Sequence, residues 1–172
     1  MFCLLLDVRN ASGNPGQSIP FEGGVVIEPM EVLDDPVSFE GTAVRGTMVG
    51  DGHTVAVSGH ITSNLHTRCS NCLEDVVLPL ETDFSELYGE EANPDDPDQL
   101  ILVGHTVDLT DPVREALLLE MPMRVLCRPD CKGLCPRCGA NLNKQLCTCQ
   151  EGAAIENPFS ALSAMLSKNE EV

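Results

Sequence analysis

Hydrophobic and polar residues alternate through the first half of the chain, as they do in strands that bury one face. Val44, Gly46 and Met48 alternate before the turn signal Gly50-Asp51-Gly52, and a second alternation follows it at Val55, Val57, Gly59, Ile61, Ser63 and Leu65. Two alternating segments joined by such a turn predict a β-hairpin. A third alternation from Val76 to Phe84 predicts another strand, so the motif Cys69-Ser70-Asn71-Cys72 lies in a strand-to-strand turn.

Helical spacing replaces this alternation in the second half. Asp111-Pro112 pairs an N-cap acceptor with a proline suited to the first helical position, apolar residues follow at helical intervals, and Pro122 ends the segment. Asn157-Pro158 repeats the start signal for a short terminal helix. We therefore predict an α+β fold, with an antiparallel β-rich N-terminal half, a helix and a zinc-knuckle-like C-terminal segment.

Residues 86–99 interrupt the pattern with six acidic residues, two prolines and no cation. Such a composition is typical of a solvated linker or loop rather than of a cation-binding site. The predicted division is an antiparallel β region with the CxxC turn over 1–85 and an acidic linker or loop over 86–99. Residues 100–172 then hold the helix, the cysteine-rich metal segment and the terminal helix.

The densest chemical signal is a run of six cysteines in 23 residues: Cys127, Cys131, Cys135, Cys138, Cys147 and Cys149. Thiolates this close repel one another unless a cation or disulfides hold them together, and we favour Zn²⁺. The segment Cys135-Pro136-Arg137-Cys138-Gly139 has zinc-knuckle spacing, in which Gly139 permits the tight turn that aims backbone N–H groups at sulfur. It supplies half of a tetrahedral site. The other half comes from Cys127 and Cys131, from Cys147 and Cys149, or from Cys69 and Cys72.

Cys69 and Cys72 allow two interpretations. We favour a pair of reduced, partly buried turn cysteines outside the metal site, because four ligands for one zinc are available within 127–149. This predicts about one zinc in the protein. The alternative is a second four-thiolate site shared with two of the six, since eight cysteines divide evenly between two zincs. Cys3 is expected to be an ordinary apolar residue.

The net charge of −17 repels polyanions over most of the surface. Residues 127–149 are the locally basic exception, because Arg128, Lys132, Arg137 and Lys144 against Asp130 give +3 and leave −20 for the other residues. One zinc with four thiolates lowers the charge of this segment to about +1. The four cations therefore suit two roles, offsetting thiolate charge or contacting RNA, and the first is at least as well supported as the second.

The start of the chain argues against an oxidising compartment. Met1 to Leu6 is apolar for only a few residues, has no basic residue before it and is followed at once by Asp7, so we expect no secretory signal. No run approaches the roughly 18 apolar residues of a membrane span. We expect a cytoplasmic protein without membrane contact, in which dense cysteines hold metal rather than form disulfides.

Four motifs follow one another along the chain. They are the turn from Arg68 to Glu74, the helix ending in Glu120-Met121-Pro122-Met123, the cysteine-rich run from Cys127 to Asn143, and the closing Asn157-Pro158-Phe159. Together, in order and spacing, they resemble the YceD family over most of the chain. The resemblance implies a bacterial or plastid-related cytosolic protein needed for accumulation of large-subunit ribosomal RNA, and hence a non-enzymatic ribosome-biogenesis factor.

Two functions are consistent with these features. The first is this ribosomal role, supported by structural zinc and exerted through ribosomal proteins or assembly factors, with RNA contact confined to Arg128, Lys132, Arg137 and Lys144. The alternative is a thiol redox enzyme or sensor that uses Cys69 and Cys72. Thioredoxin-type activation places the first cysteine at a helix N-terminus, whereas this pair precedes a predicted strand. The sequence therefore favours the first function.

Overall fold

The computed structural model describes residues 4–91 and 99–149. In chain order these ranges contain β1 (Leu5–Asp7), α1 (Arg9–Gly13), β2 (Ser18–Gly24), β3 (Met30–Val32), β4 (Asp35–Gly50), β5 (Thr54–Arg68), β6 (Asp75–Gly89), β7 (Leu100–Ile101), β8 (Thr106–Asp108) and α2 (Thr110–Glu120). The terminal helix predicted at Asn157-Pro158 and the residue Cys3 lie outside the described ranges.

The larger sheet runs in the order β2-β4-β5-β6-β7, with β3 also paired to β4. Its pairs are antiparallel except β6 with β7, which is parallel. β1 and β8 form a separate antiparallel pair. This strand-rich architecture with a helix confirms the predicted α+β class.

The hairpin of β5 and β6 is the longest regular feature. Its register runs without a break from Thr54 opposite Gly89 to Arg68 opposite Asp75. The buried hydrophobic residues of β5 are Val55, Val57, Ile61 and Leu65, which all lie on one face of the strand, as the period-2 pattern predicts. The motif from Cys69 to Cys72 follows β5 and precedes β6, which confirms its place in a strand-to-strand turn.

The boundary of the acidic segment requires a correction. β6 continues to Gly89, so residues 86–89 are strand rather than linker. The alternation that buries Phe84 reaches Tyr88, which is 4% exposed, and this buried ring keeps the strand paired where acidic composition predicted a loop. Residues 92–98 of the predicted linker lie outside the described ranges.

Helix α2 starts two residues earlier than the proline signal indicates. Leu109 is the N-cap residue, and the Asp108 carboxylate accepts a hydrogen bond from the Thr110 N–H at 2.8 Å, so Asp111 is not the cap. The helix ends at Glu120, before Pro122 as predicted. It packs on β6 and buries Val113 and Leu117.

The chain divides into two compact units, residues 1–131 and 132–172. Residues 100–131 therefore belong with the strands, rather than with the cysteine-rich segment as the sequence division had it, because β7 joins the sheet and α2 packs on β6. Within the described ranges, no helix has the length and apolar character that crossing a bilayer would require.

Candidate metal centres

Eight cysteines form two groups of four. The hairpin site consists of Cys69, Cys72, Cys127 and Cys131, and the loop site consists of Cys135, Cys138, Cys147 and Cys149. Within each group all four sulfur atoms lie within 4.8 Å of one another. The hairpin site belongs to the first compact unit and the loop site to the second.

The turn between β5 and β6 supplies the first half of the hairpin site. The Cys69 N–H donates to the Glu74 carbonyl at 2.8 Å, and the Leu73 N–H donates to the Cys69 carbonyl at 2.9 Å. Leu73 closes the turn with a φ of 60°, in the left-handed region that side chains other than glycine rarely adopt. The turn therefore brings Cys69 and Cys72 to one side, where both are buried.

The segment after α2 supplies the second half and is tied to this turn. The Ser70 N–H donates to the Val125 carbonyl at 2.8 Å, and the Val125 N–H donates back to the Ser70 Oγ at 3.2 Å. The Asn71 amide donates to the Cys131 carbonyl at 3.4 Å and accepts from the Arg124 guanidinium at 3.1 Å. These side chains hold Cys127 and Cys131 against the turn.

The loop site repeats the same turn. The Cys135 N–H donates to the Ala140 carbonyl at 2.8 Å, the Gly139 N–H donates to the Cys135 carbonyl at 2.9 Å, and Gly139 has a φ of 70°. Gly139 thus permits the tight turn, as the sequence predicts. Glycine here occupies the position that Leu73 occupies in the hairpin site.

A second loop delivers the remaining ligands of the loop site. The Leu142 N–H donates to the Gly133 carbonyl at 2.9 Å, and the Lys144 and Gln145 N–H groups donate to the Asn141 carbonyl at 3.1 Å. The chain then turns back, so that the Cys147 and Cys135 sulfurs lie 3.4 Å apart. The Cys149 N–H points at the Cys147 sulfur at 3.4 Å.

The sulfur spacing suits a metal ion better than disulfides. Cys69 and Cys131 sulfurs lie 3.8 Å apart, and those of Cys72 and Cys127 lie 3.6 Å apart. A disulfide requires about 2.05 Å. A tetrahedron with Zn–S bonds of about 2.3 Å has sulfur–sulfur edges of about 3.8 Å, so the donor set fits Zn²⁺.

The thiols of each site differ in acidity. Burial alone would raise the pKa of Cys69, but the backbone N–H groups of Cys127, Asn71 and Cys72 outweigh it and lower the pKa to about 6. The Cys138 and Arg137 N–H groups likewise lower the pKa of Cys135 to about 6. Each CxxC turn therefore favours a thiolate at its first cysteine, the ionised form that binds metal.

Cys127 and Cys149 resist ionisation when no cation is present. Loss of hydration, followed by hydrogen bonds with the Cys72 and Cys131 thiols, raises the pKa of Cys127 to about 12. Hydrogen bonds with the Cys138 and Cys147 thiols raise the pKa of Cys149 to about 12. Adjacent thiolates repel, and a bound divalent cation reverses this preference and deprotonates all four.

The structure corrects the expected role of Cys69 and Cys72. They do not lie apart as turn cysteines, because they form one group with Cys127 and Cys131, and the other four of the six form a group of their own. The sequence carried the signal in its two CxxC turns of equal spacing. The preference for a single local site failed because the segment after α2 returns to the β5–β6 turn, to which Val125 and Cys131 are hydrogen-bonded.

The geometry gives no support to redox activation of the turn pair. Cys69 is fully buried and follows a strand rather than opening a helix. A reactive thiol requires access for its substrate.

The four cations singled out in the sequence all lie in exposed positions. These are Arg128, Lys132, Arg137 and Lys144. The Arg128 guanidinium lies 3.5 Å from the Asp130 carboxylate, so part of the positive charge is balanced locally. The backbone N–H of Lys132 donates a hydrogen bond to the Asn143 Oδ1 at 2.8 Å, which fixes the position of this residue in the loop.

Comparison with known proteins places the chain in a family. Residues 57–166 match the family model described as large ribosomal RNA subunit accumulation protein YceD. The matched range contains all eight cysteines of the two sites. No solved structure matches the chain.

Several proteins are similar to this chain in sequence. An uncharacterised protein of Mycobacterium tuberculosis is 34% identical over 105 residues, which are 58% of this chain and 49% of the relative. The uncharacterised protein YlbN of Bacillus subtilis is 30% identical over 129 residues, 73% of this chain and 75% of the relative. This chain spans about half the length of the mycobacterial relatives that it matches.

A plant relative carries a functional name. The large ribosomal RNA subunit accumulation protein YCED homolog 1, chloroplastic, of Zea mays is 44% identical over 45 residues, 26% of this chain and 15% of the relative. The family model, in contrast, covers more than half of this chain. The protein described here therefore belongs to the YceD family.

Proposed function

We propose that this protein is a non-enzymatic factor for the accumulation of large-subunit ribosomal RNA, stabilised by two structural zinc ions and acting through a protein partner. The observation that carries the proposal is membership of a family described by that role, over a range that includes both four-cysteine sites. The hairpin site ties the strands to the segment after α2, so metal there supports the fold that the family match covers.

The donor sets support a structural role for the zinc. Each site offers four sulfur atoms, and among the described residues neither includes a histidine or carboxylate ligand. Four thiolates complete tetrahedral zinc, whereas catalytic zinc usually keeps a position open for water or substrate. Both ions would therefore hold loops in place rather than perform chemistry.

Charge supports a protein partner. The residues outside 127–149 sum to −20, which repels RNA phosphates and attracts cationic proteins. Ribosomal proteins, or assembly factors with basic surfaces, have the matching charge. Contact with ribosomal RNA would be limited to Arg128, Lys132, Arg137 and Lys144.

Reduced thiols fit the cytoplasm. All eight cysteines of the two sites are free thiols, and thiolate zinc sites persist where disulfides do not form. We place the protein in that compartment on this ground.

Depletion in the native cell tests the ribosomal role. We expect the ratio of large-subunit to small-subunit ribosomal RNA to fall on depletion and to recover when the wild-type chain is supplied. Cys135→Ser with Cys138→Ser should fail to restore the ratio because the loop site is lost. Gln145→Ala, an exposed residue of the same loop, is the matched control and should restore it. A ratio unchanged by depletion would contradict the proposal.

A further inference from the structure

An acidic groove of about 700 Å³ lies where the end of β6, β7, β8 and the first turns of α2 meet. Among the residues that the structure describes, those that line this groove include no lysine, arginine or histidine. Four carboxylates face it, from Glu86, Asp108, Asp111 and Glu115. Asp111 forms an ion pair of 2.9 Å with Arg114 on the same helix, so its charge is balanced locally. The other three carboxylates keep the groove negative.

Tyr88 lines this groove with a hydroxyl that lacks a hydrogen-bond partner among the described residues. The residue is only 4% exposed. Burial raises the pKa of Tyr88, and the negative charges of Glu86 and Asp108 raise it further. The hydroxyl is therefore protonated. Buried hydroxyls are normally satisfied by protein or ordered water, so this one has the capacity for a further hydrogen bond.

The rim of the groove is apolar. Ile101 and Val103 are 51% and 79% exposed although both line it. A second depression of about 260 Å³ shares Glu86, Pro112 and Glu115 with the groove and continues along α2 to Leu119, which is 87% exposed. The surface thus extends along α2 and combines carboxylates with apolar side chains.

This arrangement excludes two other kinds of ligand. A metal ion requires converging oxygens, but among the described residues only the two cysteine groups bring three or more metal-ligating side chains within 4.8 Å. Nucleic acid is repelled by the carboxylates of the groove, since the described residues that line it include no cation. Dispersed carboxylates with an apolar rim suit an extended, positively charged polypeptide.

We propose that this groove binds an extended segment of a partner protein in which lysine or arginine alternates with aliphatic residues. The inference rests on the proposed function for the ribosomal origin of that partner, and on the groove alone for its chemistry. Cationic side chains of the segment would pair with Glu86, Asp108 and Glu115. A backbone carbonyl of the segment would accept a hydrogen bond from the Tyr88 hydroxyl. Its aliphatic side chains would cover Ile101 and Val103.

The chain offers a built-in reporter for this binding. Tyr88 is the single tyrosine and there is no tryptophan, so intrinsic tyrosine fluorescence reports the groove alone. The probe is a synthetic peptide that alternates arginine and lysine with leucine and contains no aromatic residue. Titration of the zinc-loaded full chain at physiological salt should change the Tyr88 emission saturably. The same peptide with glutamate in place of its cations should leave the emission unchanged.

Charge-matched variants locate the binding site. Glu86→Gln with Glu115→Gln should weaken peptide binding by about tenfold, because two close charge pairs are lost. Glu28→Gln with Glu31→Gln removes the same two charges away from the groove and should change the affinity by less than about twofold, since distant exposed charges are screened. Val103→Ser should also weaken binding, which separates a groove from a diffuse electrostatic effect.

Equal weakening by both double variants, or the absence of saturable binding, would overturn the groove proposal. The groove proposal would also be overturned if a large-subunit RNA fragment bound more tightly than the peptide and if the Glu86 and Glu115 variant lost that RNA binding. The groove and the proposed function fail separately. If the peptide binds but depletion leaves the ratio of large-subunit to small-subunit ribosomal RNA unchanged, the proposed function alone is refuted. If depletion lowers that ratio but the peptide does not bind, the groove proposal alone is refuted.

Discussion

The sulfur atoms of Cys72 and Cys127 lie 3.6 Å apart, although 55 residues separate them in the chain. The entropy cost of closing such a loop grows only with the logarithm of its length. Strand β6 and helix α2 already order about half of the intervening chain, so closing the site costs less still. Sequence distance is therefore a poor guide to which thiols share a metal.

We predict two zinc ions in each reduced chain. Cys69→Ser with Cys72→Ser should lower the bound zinc from about two to about one, and Cys135→Ser with Cys138→Ser should do likewise, because each pair supplies half of a separate four-thiolate site. Elemental analysis of purified protein measures the ratio. Structural zinc contributes on the order of 10 kcal/mol in apparent binding free energy, so each loss should also lower the thermal stability clearly.

Cobalt substitution provides the control for this count. Tetrahedral thiolate-bound Co²⁺ absorbs visible light, so each pair variant should reach about half of the wild-type absorbance. A Cys69 and Cys72 variant that retains all its metal would show that the turn pair is outside any site, as the sequence alone suggested.

Much of the fold follows from local pattern. The alternation from Val55 to Leu65 gives β5 and its buried face, and Pro122 gives the end of α2, because both depend on periodicity and backbone chemistry. The grouping of thiols does not, because it depends on long-range contacts between the β5–β6 turn and the segment after α2. The strand at residues 86–89 also escapes prediction, because the acidic composition of residues 86–99 as a whole masks one buried ring at Tyr88.

The two CxxC turns predict opposite effects of glycine. Leu73→Gly should tighten metal binding at the hairpin site, because a left-handed backbone costs a residue with a side chain about 1–2 kcal/mol. The greater conformational freedom of glycine in the unfolded chain offsets about 0.5–1 kcal/mol of that gain. Gly139→Ala should weaken the loop site for the same reason. Zinc competition with a graded chelator measures both. Weakening by Leu73→Gly would show that the Leu73 side chain contributes more than its backbone strain costs.

The hydrogen bonds behind the hairpin site should tune its affinity. Ser70→Ala removes the acceptor of the buried Val125 N–H, and Asn71→Ala removes the link between Arg124 and the Cys131 carbonyl. Loss of outer groups that orient ligands typically costs about 10-fold or more in metal affinity. We expect both variants to bind two zinc ions but to release one of them more readily to a chelator. Ser58→Ala, on β5 away from the turn, is the matched control and should not change the release.

RNA binding by the isolated protein should be weak and sensitive to salt. The candidate contact residues offer only four cations, and each duplex phosphate neutralised contributes roughly −0.9 to the slope of log affinity against log salt, so the slope should be no steeper than about −4. Lys132→Ala with Lys144→Ala should make it shallower by about 2. Arg45→Ala, in an exposed pair with Glu22, is the control. Titration with large-subunit RNA fragments tests this. Tight binding that survives high salt would move the functional surface from a protein partner to RNA.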